Sequence, residues 1–153
     1  MMGPFYLYDI DEFNLIDKPE LKDRKIIYKY GLEALFDLMR VNDKRVIFII
    51  DNPELDSHPK NCIDRPHKIN FNHKCGIKKD VYQMRNKEYR DIVISTAKNY
   101  KNVEIFDSTK ILCDKIWCYS KINNQILYSD RNHLSKAGAL LVSSELTSII
   151  NKR

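Results

Sequence analysis

The sequence predicts an α/β fold in which helices cover a parallel sheet. Segments with helical periodicity alternate with short apolar segments, in the order helix, strand, loop, helix, strand, hairpin, helix. One of the short segments, "RVIFIID", is apolar on successive residues, the pattern of a strand buried on both faces of a parallel sheet. The 153 residues are 43% hydrophobic and 31% charged, enough to build a core and unlike a disordered or membrane-embedded chain.

The first helix is expected over "RKIIYKYGLEALFDLMRVN", where Ile27, Tyr30, Leu35, Leu38 and Met39 fall near one face and polar Asn42 and Asp43 end the run. "RVIFIID" follows as a strand and stops at "DNPE", because Pro53 has no N–H for a ladder. From Asp51 to about Lys79 the chain has no periodicity and carries three of the five prolines and three of the four histidines. Its length suggests a functional or disulfide-pinned loop.

A single helix is expected over "DVYQMRNKEYRDIVISTAKNYKN", with Val81, Met84, Tyr89, Ile92, Val93 and Ala97 in register, and "VEIFD" is the second buried strand. "IWCYSKINNQILYSD" reads as two short strands around Asn123-Asn124, a variant of the Asn-Gly hairpin turn. Ser135 then caps a last helix reaching Ile150, with Ala137, Leu140, Leu141, Ser144 and Ile149 on its small and apolar face.

The net charge is +5, which favours anionic partners in principle. The basic residues are scattered without a dense block, so no nucleic-acid interface is expected. "MMGPFYLYDIDEF" lacks a basic leader and meets Asp9 and Asp11 early, so no targeting segment is expected; "VIFII" is too short to span a bilayer. The four cysteines, Cys62, Cys75, Cys113 and Cys118, allow local pairs 62 with 75 and 113 with 118, or four reduced thiols in a cytosolic protein.

Ligands of open α/β sheets gather beyond the carboxyl ends of strands, which draws attention to "DNPELDSH" and "FDSTK". The densest chemistry lies elsewhere, in "YSDRNHLSKAGALLV". Asp130, three residues before His133 on a loop entering a helix, can orient the imidazole and stabilise its charged form, leaving the other ring nitrogen as a base. A carboxylate and a histidine at that spacing also arise by chance, hydrogen-bonding only loop amides.

The longer string "LYSDRNHLSKAGALLV" resembles the last block of SGNH-type hydrolases and acyltransferases. It is most similar to the SGNH domain attached to membrane-bound acyltransferase-3 proteins that O-acetylate bacterial surface polysaccharides. There the pattern Tyr-x-Asp-x-x-His-Leu-Ser-x-x-Gly-Ala is typical, and here it stands as Tyr128, Asp130, His133, Leu134, Ser135, Gly138 and Ala139. "KRVIFIIDNPELDSHPKNCIDRP" and "LCDKIWCYSKINNQILYSD" resemble the family's Pro-Glu segment and its Cys-containing hairpin, so that the likeness runs from about Tyr28 to Ile150.

The resemblance implies an SGNH-hydrolase-like three-layer sandwich, incomplete at its N-terminus, formed by residues 1–153 as one domain. It implies serine acyl transfer onto a bacterial glycan acceptor, with Asp130 and His133 as catalytic residues and the acetyl donor relayed from a membrane acyltransferase domain. It needs no cofactor and no metal, places the domain on the extracytoplasmic side, and turns the four cysteines into two disulfides. Membrane association would come only through an upstream domain.

The family's nucleophile block, Gly-Asp-Ser, occurs nowhere in these 153 residues. Its look-alike, Leu55-Asp56-Ser57-His58, follows a strand but lacks the glycine and stands too close to His133 for the intervening blocks, so Ser57 is the weaker candidate nucleophile. The chain therefore reads as the C-terminal portion of an SGNH acyltransferase domain, with acid and base retained and serine missing.

Two other functions compete with that reading. One is a catalytically dead SGNH-like structural or binding domain. The other is a zinc-stabilised basic binding module using Cys62, His67, His73 and Cys75, with Cys113 and Cys118, although the spacing Cys-x4-His-x5-His-x-Cys fits no common finger. Tyr6, Tyr8, Trp117 and Tyr119 could stack on sugars, yet such residues more often serve packing. Glu54, just after the first strand, reads as an exposed loop acid that could line a cleft.

Overall fold

The computed structural model describes residues 15–63 and 75–152. The chain is α/β with a parallel sheet, the class the sequence predicts. Its contacts divide into two compact units, residues 1–51 with 86–106 and residues 52–85 with 107–153.

In the first unit α1 (Arg24–Val41), β1 (Val46–Ile50), α3 (Lys87–Ala97) and β3 (Val103–Asp107) form a βαβ arrangement preceded by a helix. Asp23 caps α1, its carboxylate accepting from the backbone N–H of Lys25 and Ile26 and satisfying two of the helix's orphan donors. The strands β1 and β3 pair side by side. Leu32, Phe36, Ile50, Tyr89, Val93 and Ala97 make the buried core, with Tyr28, Phe48 and Tyr100 packed against it.

The face of α1 that meets the core is Tyr28, Leu32 and Phe36, spaced four residues apart; of the expected Ile27, Tyr30, Leu35, Leu38 and Met39, none belongs to that core, Ile27, Tyr30 and Met39 being half-buried and Leu35 and Leu38 exposed. Leu38 is 54% exposed and Leu35 is also solvent-facing. The helix has apolar residues on more than one side, so periodicity alone leaves its rotation open; the aromatic contacts of Phe36 with Phe48 and Tyr100 decide it.

The expected single helix within residues 80–102 is two. The first, α2 (Lys79–Arg85), lies in the second unit and stops at Asn86, whose ψ of 7° departs from helical geometry before α3 begins. Tyr82 is buried on α2, whereas Met84, assigned to the core from its spacing, is 73% exposed. The periodicity of the two helices happens to run in phase across the break.

The second unit also holds a 3-10 helix (Pro59–Cys62), β2 (Gly76–Lys78), α4 (Thr109–Leu112), β4 (Trp117–Tyr119), β5 (Lys121–Ile122), β6 (Gln125–Ile126) and α5 (Lys136–Ile150). β2 pairs antiparallel with β4, Ile77 opposite Cys118, and β5 pairs antiparallel with β6. Asn123 and Asn124, at φ 47° and 63°, occupy the left-handed region that a two-residue hairpin turn requires. The expected hairpin is present there, with β4 turned to pair with β2.

Disulfides join Cys62 to Cys75 and Cys113 to Cys118, the local pairing. With all four cysteines so bonded, the zinc module loses four of its six ligands, and the other two, His67 and His73, lie outside the described residues. No cluster suited to a metal occurs among the described residues. Among them, too, no helix is long and apolar enough to cross a membrane.

Candidate functional site

The site is built on the turn between β6 and α5. Leu127 and Tyr128 are buried with Leu55 and Leu112, and Leu134 and Val142 pack against this cluster. Beyond it the chain leaves as a loop and returns: Tyr128 and Leu134 form an antiparallel bridge, and Ser129 N–H donates to His133 O at 2.8 Å. The loop is thus closed at its base by backbone pairing.

Two contacts fix α5 to that base. Ser135 Oγ accepts from the Gly138 N–H as the helix cap and donates to Ile126 O at 2.6 Å, while Ser135 N–H donates to Leu127 O at 2.9 Å. Gly138 lies so near Leu127 that a Cβ there would stand 2.1 Å from the Leu127 carbonyl oxygen. The close approach fixes the inward face of α5 as Gly138, Val142, Leu146 and Ile149; Leu140, Leu141 and Ser144, expected inside, are exposed, and Ala137 and Ile149 are half-buried as expected.

Within the loop Asp130 collects three donors. Its Oδ1 accepts from the backbone N–H of Asn132 at 2.9 Å and of His133 at 2.8 Å, and Oδ2 lies 2.8 Å from His133 Nδ1. The two backbone N–H groups, then the imidazole, hold the Asp130 carboxyl down at about 2. A carboxylate ionised at neutral pH beside Nδ1 places the neutral ring's proton on that nitrogen, which leaves Nε2 as the basic one. The His133 side chain is 75% exposed, open to a reacting partner.

The segment after β1 grips the same loop from a distance of about 80 residues in sequence. Asn52 Nδ2 donates to Asn132 O at 2.7 Å, Leu55 N–H donates to Arg131 O at 2.7 Å, and Arg131 Nη2 pairs with Glu54 Oε1 at 3.0 Å. Sequence reasoning missed Asn52 altogether and gave Glu54 no partner. The available signal was the Asn-Pro pair, which marks a turn but not what the turn holds.

Ser57 is exposed, in the bend before the 3-10 helix. Asp56 beside it pairs with Arg85 at 2.7 Å, and His58 Nδ1 accepts from Lys60 N–H as the 3-10 cap. Among the described residues no hydrogen bond joins Ser57 to His133. Asp107, in "FDSTK", accepts from Thr109 N–H and Oγ and begins the α4 turn. Trp117 and Tyr119 are half-buried on β4, and the Tyr119 hydroxyl is held by Asp114. Tyr6 and Tyr8 lie outside the described residues.

Residues 4–148 match the family model described as SGNH domain (fused to AT3 domains). The chain belongs to this family. The match runs through both compact units of the SGNH chain and includes the whole Asp130–His133 loop. Neither the curated proteins nor the solved structures include a match to it.

Proposed function

We propose that this SGNH chain supplies the acid and base of a serine-type acyl transfer that O-acetylates a bacterial surface polysaccharide. The observation that carries the reading is the 2.8 Å contact between Asp130 Oδ2 and His133 Nδ1, on a carboxylate already fixed by two backbone donors. That is the orienting half of a catalytic triad. No Gly-Asp-Ser occurs in residues 1–153, so the serine is assigned to chain outside them, and these residues form the C-terminal portion of the domain.

In the proposed cycle the serine hydroxyl gives its proton to His133 Nε2 as its oxygen attacks the acetyl carbonyl of the donor. The imidazolium, paired with Asp130, returns that proton to the departing donor group, leaving an acetyl ester on the serine. A glycan hydroxyl then loses its proton to Nε2 and attacks the ester, and the serine oxygen recovers the proton. Oxyanion donors for both tetrahedral intermediates belong to the part of the domain that holds the serine. The donor would be relayed from a membrane acyltransferase domain, and the two disulfides favour an extracytoplasmic site of action.

The test is His133→Ala in the complete enzyme, read as acetyl transferred to polysaccharide alongside circular dichroism. Loss of transfer with retained fold is expected, and unchanged transfer overturns the assignment. Ser57→Ala in the same background decides the nucleophile: a loss equal to that of His133→Ala would move the role to Ser57.

A further inference from the structure

We infer that Asn52 is a positioning residue for the Asp130–His133 pair, holding through its side-chain amide the peptide group that lies between Asn132 and His133. The inference rests on the acid–base role proposed above for that pair.

The geometry concerns two consecutive peptide planes. The carbonyl of Arg131 and the N–H of Asn132 belong to one planar group, and the carbonyl of Asn132 and the N–H of His133 to the next. Each plane is gripped at its oxygen by the segment after β1, the first by Leu55 N–H and the second by Asn52 Nδ2, both at 2.7 Å. Each then donates from its nitrogen to the same carboxylate oxygen, Asp130 Oδ1. Because a peptide plane turns as a unit, fixing its oxygen aims its N–H. Accepting a hydrogen bond at the carbonyl also polarises the group and strengthens it as a donor.

Of these contacts, Asn52 is the one in which a side chain grips a backbone carbonyl of the loop. Leu55 contributes backbone, which most substitutions leave in place. The Glu54–Arg131 pair has more than a third of each side chain in solvent, where ion pairs contribute little. Asn52 also precedes Pro53, which is buried and confines its neighbour to extended backbone, so the amide is offered from a restricted frame. Asn52 thus sets the aim of both the His133 N–H and, through the carboxylate, the imidazole on Asp130 Oδ2.

The experiment is an NMR titration of the Asp130 carboxyl in the intact chain, with the His133 ring nitrogens recorded to follow the tautomer. Asn52→Ala should raise the Asp130 midpoint by about one pH unit and mix the imidazole tautomers at neutral pH, whereas Glu54→Gln should shift it by less than about 0.3. A folded Asn52→Ala protein with the wild-type titration and a single tautomer overturns the inference. Should that variant not fold, Asn52→Leu, which keeps about the same volume and loses the donor without adding a charge, is judged by the same criteria. In the wild type itself the Asn52 side-chain amide protons should exchange slowly, and exchange at the rate of an exposed amide equally overturns it. Retained activity in His133→Ala would instead remove the acid–base reading and leave the loop geometry standing, so the two failures are distinct.

Discussion

Gly138→Ala should destabilise this protein although position 138 lies in a helix. Propensity alone favours alanine over glycine by about 1 kcal/mol in a helix interior. Against that, the new Cβ would meet Leu127 O at 2.1 Å, its carbonyl carbon at 3.0 Å and its Cα at 3.2 Å. These are backbone atoms of a buried segment and cannot rotate away. With carbon contacts optimal near about 3.5 Å, the first turn of α5 must retreat by roughly 1 Å. The retreat stretches Ser135 N–H to Leu127 O and Ser135 Oγ to Ile126 O, each worth about 1 kcal/mol, and loosens Val142 and Leu134 from Leu127 and Tyr128. With overpacking at about 1–3 kcal/mol, the net loss comes to about 2 kcal/mol after the propensity gain. Urea unfolding followed by far-UV circular dichroism and by the fluorescence of Trp117, the one tryptophan, measures it. A Gly138→Ala protein as stable as wild type, or more so, would refute the close approach as the reason for glycine.

Three other outcomes are expected. Asp130 has its carboxyl depressed from 3.8 to about 2, so its contribution to loop order is complete above about pH 4 and is lost as pH falls toward 2; a midpoint at or above 3.8 in the carboxyl titration would contradict the hydrogen-bond account. Replacing Cys62 and Cys75 by serine should cost about 3 kcal/mol and replacing Cys113 and Cys118 about 2, because their sequence separations of 13 and 5 release different amounts of chain entropy. Urea midpoints in the reverse order would defeat that explanation. Asn124→Gly should raise stability by about 0.5 kcal/mol, since φ of 63° suits glycine better than any L residue, and a lower thermal midpoint would count against the turn assignment.

Local signals made much of the fold legible. The apolar runs "VIFII" and "VEIFD", the Asn123-Asn124 turn, the Ser135 cap and the α/β alternation all depend on interactions within a few residues, and all appear where the sequence places them. The Asp130–His133 contact is equally local, three residues apart, and the spacing was enough to suggest it. The break at Asn86 was hidden because the apolar positions of α2 and α3 share a phase, and one residue leaving helical geometry does not disturb a periodic pattern.

By itself, then, the sequence indicated the first and last helices, the strands "VIFII" and "VEIFD", the Asn123-Asn124 turn and an acid three residues before a histidine; it left the cysteine pairing open and did not show β2, α4 or the break between α2 and α3. Tertiary structure alone decided which side of α1 and α5 turns inward, since both helices carry leucines on several sides and only Phe36 against Phe48, or Gly138 against Leu127, selects one rotation. It also decided that Asn52 and Leu55 grip the two peptide groups that serve Asp130. Those bonds join residues almost eighty positions apart, and a single chain carries no local energetic mark of them: an asparagine before a proline satisfies its own turn whatever its amide later reaches.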